Sequence, residues 1–175
     1  MNIPNLISLF RLLLIPVFIY SFETGPGHDR IIYPIIIFII SGFSDILDGY
    51  IARKYHMETK LGAVLDPLAD KLMLITALFC FTYYKFIPVW IVLLVILKEG
   101  LMIAGGFVAY RRGIVNHANF WGKMATFLFH ISIVTFLFSN VLAMALLIVS
   151  ISVSFVAFFT YFKLTMAKRK NRNLT

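Results

Sequence analysis

Five of the eight acidic residues of this 175-residue chain, Asp45, Asp48, Glu58, Asp66 and Asp70, stand in one segment, SDILDGYIARKYHMETKLGAVLDPLAD. On a helix, residues three or four apart share a face. Asp45 and Asp48 therefore point the same way, with Ala52 one turn further on. Gly62, Asp66 and Asp70, each four apart, make a second one-sided stripe. Two helices joined by a short connection can turn these stripes toward each other and form a cup of four carboxylates. Clustered aspartates repel one another unless cations neutralise them. The donors are hard oxygens, with no Cys or His at matching spacing, which favours Mg²⁺ or Mn²⁺ over zinc or copper. Four carboxylates suit two such ions, an arrangement used for displacement at phosphorus.

The small residues of the segment fit the same chemistry. Gly49, Ala52 and Gly62 remove bulk beside the carboxylates, so a phosphorylated ligand could approach the backbone. Arg53 offers a planar fork suited to phosphate oxygens. Each has a plainer reading alone. Asp66 before Pro67 could cap a helix. Gly49 and Gly62 could be close-contact residues between helices. Arg53 could be a basic flank. Together and in register they point to a site.

The elements that must position these residues are membrane helices. The chain is 61% hydrophobic and only 14% charged, with a mean hydropathy of +0.90. Apolar runs of about 17–25 residues argue for a polytopic all-α membrane protein. Six spans are expected, over 5–22, 31–52, 63–84, 88–110, 119–138 and 141–162, forming a single transmembrane domain over 1–175 without internal repeats. That length leaves no room for a separate soluble domain, which argues against a nucleic-acid partner. The net charge of +8 is then topological. Arg53, Lys54 and Lys60, then Arg111 and Arg112, then the tail from Lys163 to Arg172 mark cytoplasmic loops, against only Arg30 and Lys85 opposite. Both termini fall in the cytoplasm, and the tail can also attract anionic lipid. The N-terminus lacks the basic start and small-residue cleavage site of a signal peptide, and Arg11 interrupts its apolar run. Cys80 is a lone packing residue.

Other polar positions are sparser. Asn5, Ser8 and Arg11 recur every three residues on span one and could face the site. Arg11 could equally snorkel to the interface. Lys98 and Glu99 sit mid-span, either lining a polar cavity or pairing with each other. Arg111, Arg112 and Lys123 form a basic rim that could meet an acceptor phosphate. His28, His56, His117 and His130 have no partner ligands.

Written out, the segment is D-x2-D-G-x2-A-R-x8-G-x3-D-x3-D. It resembles the signature of the CDP-alcohol phosphatidyltransferases, integral membrane enzymes of phospholipid synthesis with a six-helix core. The N-terminal NIPNLISLFRLLLIPVF and the stretch LGAVLDPLADK resemble the branches that make phosphatidylglycerophosphate or cardiolipin. The resemblance implies that Asp45, Asp48, Asp66 and Asp70 hold two Mg²⁺ or Mn²⁺ ions that grip the diphosphate of CDP-diacylglycerol. Asp70 would also act as general base. Gly49, Ala52, Gly62 and Asn5 would lie by the nucleotide, and Arg53 would meet its phosphates. An alcohol would attack the phosphorus bearing the diacylglycerol group, and CMP would leave. The site would face the cytoplasm of a cell-membrane enzyme, and the family commonly forms homodimers.

Two rivals fit less well. Intramembrane prenyltransferases also hold magnesium diphosphate, but on larger bundles with different aspartate spacing. A divalent-cation transporter would carry intramembrane carboxylates, yet Arg53 beside a cation site would weaken it. The acceptor stays open between sn-glycerol 3-phosphate, the leading expectation, and phosphatidylglycerol. Glycerol-3-phosphate users of the family show an Arg-Glu pair followed by a second arginine. Here Lys98-Glu99 stands at the pair and Gly106 follows. Lys98, Arg111, Arg112 and Lys123 would have to supply the acceptor's counter-charge.

Overall fold

A computed structural model describes residues 3–24, 30–55, 57, 59, 62–111 and 120–172. Its described residues form six α-helices: α1 Ile3–Thr24, α2 Ile32–Lys54, α3 Gly62–Tyr83, α4 Val89–Arg111, α5 Phe120–Thr135 and α6 Asn140–Arg172. A helix thus occupies each of the six expected positions. Two ends differ from expectation. α5 stops at Thr135 because the next amides turn back three residues, Phe136 N–H to Ile133 O, Leu137 N–H to Val134 O and Phe138 N–H to Thr135 O. α6 runs on to Arg172, since the Lys, Arg, Met and Ala after residue 162 are good helix formers.

Three of these helices are long and apolar enough to cross a membrane, over Pro4–Thr24, Ile32–Ala52 and Asn140–Lys163. The surface supports that reading. Ile46 and Leu47 are 69% and 53% exposed, while Asp48 beside them is 2% exposed. A soluble protein would invert that order; apolar solvent outside explains it. The all-helical class and the membrane character both hold.

The chain divides into two compact units, Met1–Pro88 and Val89–Thr175. In the first, α1 packs along both α2 and α3, which also touch each other. Consecutive helices run antiparallel here, so this unit has two unlike ends. At one end Phe18, Phe22, Ile35, Phe38, Leu78 and Phe81 are fully buried. Phe22 meets Phe18 and Phe81 edge-on, each at 5.4 Å between centroids, and stacks on Tyr84 at 5.0 Å. Such pairs contribute about 0.5–1.5 kcal/mol each beyond their contact area. α3 closes there in a Schellman turn, Phe86 N–H to Phe81 O and Lys85 N–H to Thr82 O, with Lys85 in the left-handed region at φ 64°. The other end, about 16 Å away along α1 at 1.5 Å per residue from Phe22 to Arg11, holds the polar side chains.

In the second unit α6 packs on α5 and α4. Among the described residues its buried positions are Ala143, Leu147, Ser150, Ser154 and Ala157, a mostly small-residue stripe spaced alternately four and three apart that lets helices approach closely. Ser139 caps α6 by accepting the Leu142 N–H at 3.3 Å.

Candidate active site

The polar end of the first unit is built from α1 inward. Asn5, Ser8 and Arg11 are all buried, so the stripe faces protein and Arg11 does not snorkel. Arg11 is 1% exposed, and its fork spans α2's two aspartates. Nη1 donates to Asp45 Oδ1 at 2.6 Å and Nη2 donates to Asp48 Oδ2 at 2.5 Å. Asp45 remains 44% exposed while Asp48 is enclosed. Ser8 Oγ donates to Asp66 Oδ1 of α3, and also lies 3.0 Å from Pro4 O. One face of α1 therefore touches three of the four predicted aspartates. Asp70, partly buried one turn beyond Asp66 on the same helix, also interacts within the structure.

α3 begins at Gly62, so Asp66 and Pro67 lie inside the helix and the N-cap reading of Asp66 does not hold. Thr59 takes that role. Its Oγ1 accepts the Gly62 N–H at 2.9 Å and donates to Asn5 Oδ1 at 2.8 Å. A Cβ added at Gly62 would lie 2.8 Å from Asn5 Oδ1 and 3.1 Å from Thr59 Oγ1. Gly62 thus leaves room first for the protein's own side chains. Ser8 belongs to the polar stripe expected to face the site, whereas Thr59 had no role expected from the sequence. The only signal for Thr59 was a Thr three residues before a helix start. Thr59→Val should lower stability by about 1 kcal/mol, a lost cap, and loosen α1 from α3; thermal melts and amide exchange at the start of α3 check this.

Gly49 and Ala52 follow Asp48 on the last turns of α2, as expected. Arg53 lies on the same helix, and its side chain is outside the described residues, as is that of Arg111 on α4, the helix that also carries Gly106. Arg112 lies outside them altogether. In the second unit Lys98 and Glu99 pair with each other at 2.6 Å, both side chains largely buried. Lys123 is exposed on α5.

Among the described residues, no group of three or more His, Cys, Asp or Glu is already drawn into metal-holding geometry. The donor set nevertheless fits a hard cation. It is all oxygen, it collects at one end of one helical unit, and Asp45 and Asp48 already converge on a positive charge.

The carboxylates thus gather at the adjacent ends of α2 and α3, Asp48 enclosed and Asp45, Asp66 and Asp70 partly exposed, on a helical unit whose outer surface is apolar, as in a membrane protein. The family model for CDP-alcohol phosphatidyltransferase matches residues 1–157, and the chain belongs to that family. It is 35% identical over 150 residues to a CDP-diacylglycerol–glycerol-3-phosphate 3-phosphatidyltransferase of Bacillus subtilis, covering 79% of this chain and 78% of the relative. It is 33% identical over 132 residues to a CMP-forming cardiolipin synthase of Streptomyces coelicolor, covering 73% of this chain and 60% of the relative. A probable phosphatidylglycerophosphate synthase of Mycobacterium tuberculosis is 33% identical over 128 residues, covering 72% and 61%. The chain thus spans about three fifths of two of these relatives. Membership sets the transporter and prenyltransferase readings aside.

Proposed function

We propose that this chain transfers the phosphatidyl group of CDP-diacylglycerol to a hydroxyl of sn-glycerol 3-phosphate, giving phosphatidylglycerophosphate and CMP. The observation that supports the reading is the polar end of the first unit, where α1 gathers three of the motif's aspartates, Asp45, Asp48 and Asp66. Asp45, Asp48, Asp66 and Asp70 would hold two Mg²⁺ or Mn²⁺ ions, which when bound neutralise the diphosphate and the departing phosphate. Asp70 takes the proton of the incoming hydroxyl. The hydroxyl oxygen bonds to the phosphorus bearing diacylglycerol, and the bond from that phosphorus to the bridging oxygen breaks, leaving CMP with the electron pair. Arg53 steadies the nucleotide phosphates. Gly49, Ala52 and Gly62 keep the approach open, and Asn5, whose Oδ1 is taken by Thr59, offers its amide nitrogen to the nucleotide.

All six helices would cross the cell membrane, with both termini and the carboxylate end cytoplasmic, following the Lys and Arg bias of the loops. One catalytic domain would span 1–175 and work as a homodimer, as the family resemblance implies. The family match running through residues of both units supports the single domain.

A second reading has its own support. Lys98 is engaged by Glu99, which withdraws one candidate charge from a phosphomonoester, and the Streptomyces relative is named a cardiolipin synthase. Phosphatidylglycerol as acceptor would need less positive charge. Supplying purified enzyme with CDP-diacylglycerol and either glycerol 3-phosphate or phosphatidylglycerol, then identifying the lipid, decides between them. Phosphatidylglycerophosphate is expected, and Lys123→Ala or Arg111→Ala should raise the KM for glycerol 3-phosphate about tenfold while sparing that for CDP-diacylglycerol, as for loss of one charge-assisted bond. Cardiolipin from phosphatidylglycerol, with no product from glycerol 3-phosphate, overturns the first reading.

A further inference from the structure

Arg11 lies outside the family motif, yet it pairs with two of its aspartates at 2.6 and 2.5 Å. Three facts define its setting. It is 1% exposed in a helix whose other faces carry Leu6, Leu9, Phe10 and Leu13, all exposed apolar side chains. Its two terminal nitrogens are committed to Asp45 and Asp48, 34 and 37 residues away in sequence. Its third donor, Nε, is buried with no hydrogen-bond partner among the described residues. A guanidinium does not shed its proton, so the charge is permanent.

Two carboxylates outweigh one guanidinium, and a buried donor left unmatched is unfavourable. Arg11 is thus bound well enough to hold the site together and incompletely enough to be moved. It occupies the oxygen pair that a divalent ion would need. We propose that Arg11 is the resident counter-ion of the carboxylate site, holding Asp45 and Asp48 in register between α1 and α2 and yielding them when a divalent ion binds. The inference rests on the divalent-ion reading above. That reading stands or falls on whether turnover by the unmodified enzyme survives chelation, whereas this one is decided on a variant.

The consequence is a competition. An ion that must displace a neighbour binds more weakly by the fraction of time the site is open. Removing the competitor should tighten the ion and make folding depend on it. Arg11→Met keeps an unbranched apolar stem and removes the charged fork. Thermal melts of the purified protein with EDTA and with saturating Mn²⁺, and Mn²⁺ affinity from the free-ion paramagnetic resonance signal, give the test. In EDTA, R11M should melt below the parent; with Mn²⁺ the gap should close, and the Mn²⁺ Kd should tighten about tenfold. R11M is prepared in Mn²⁺ throughout if it does not survive EDTA. Arg11→Lys, which keeps a charge but cannot span both carboxylates, serves as the folded control and should fall between. An equal stability loss in EDTA and Mn²⁺ would make Arg11 an ordinary structural pair. Weakened Mn²⁺ binding in R11M, or an R11K affinity equal to the parent's, overturns the competition as well.

Discussion

Asp48→Asn should cut CMP release from CDP-diacylglycerol about a thousandfold or more, the rate equivalent of losing several kcal/mol of charge stabilisation. Asn keeps the shape and loses the negative charge that a divalent ion requires. Asp45→Asn, Asp66→Asn and Asp70→Asn should be comparably inactive, and activity of the parent should vanish with chelator and return with Mg²⁺ or Mn²⁺. Stability separates the four. Asp48 is enclosed and paired with a buried Arg11, and breaking a buried pair costs about 3–5 kcal/mol. Asp45 shares Arg11 but is 44% exposed, so its loss is felt much less, about 0–1 kcal/mol. D48N should therefore be both inactive and fragile, while D45N should be inactive and close to the parent in melting. Near-normal turnover in any two of the four variants would sink the two-ion reading.

Gly62→Leu should abolish activity and depress the melting temperature together. A side chain there first meets Asn5 Oδ1 and Thr59 Oγ1, the two groups that join α1 to the start of α3. Even Ala must push Asn5 aside, and Asn5 is buried and hydrogen-bonded, so the displacement is unfavourable. Gly62→Ala should thus lower stability by about 1–3 kcal/mol, the scale of a strained contact or a lost buried hydrogen bond. The double variant Asn5→Ala/Gly62→Ala should recover part of that loss because the obstructing atom is gone. Full stability in Gly62→Ala with a raised KM for CDP-diacylglycerol would instead assign the glycine to nucleotide clearance alone.

Much of the site could be read in the chain before any fold was known. Asp45 and Asp48, or Gly62 and Asp66, share a face because the helical period is fixed by backbone geometry, whatever surrounds it. The confined carboxylates in an apolar chain set the membrane class, since composition sums over the whole surface. The helix positions followed from the lengths of apolar runs, and failed mainly where such runs give no stop signal, at the basic end of α6.

Which face of each helix turns inward was not available from hydropathy. In a membrane both the packed side and the lipid side are apolar, so the stripe that orients a soluble helix is missing. The spacing of Asn5, Ser8 and Arg11 allowed either an inward stripe or an interfacial arginine. Only the packing of α1 against both α2 and α3 decided it, by bringing Arg11 to Asp45 and Asp48 and Ser8 to Asp66. The same packing gave Thr59 its cap and put Asn5 in the space beside Gly62. The sequence by itself determined the family and the helical membrane class, because motif spacing and composition are local properties. The tertiary structure alone decided the counter-ion and the close contact, because they join residues 34 to 58 positions apart that no local period relates.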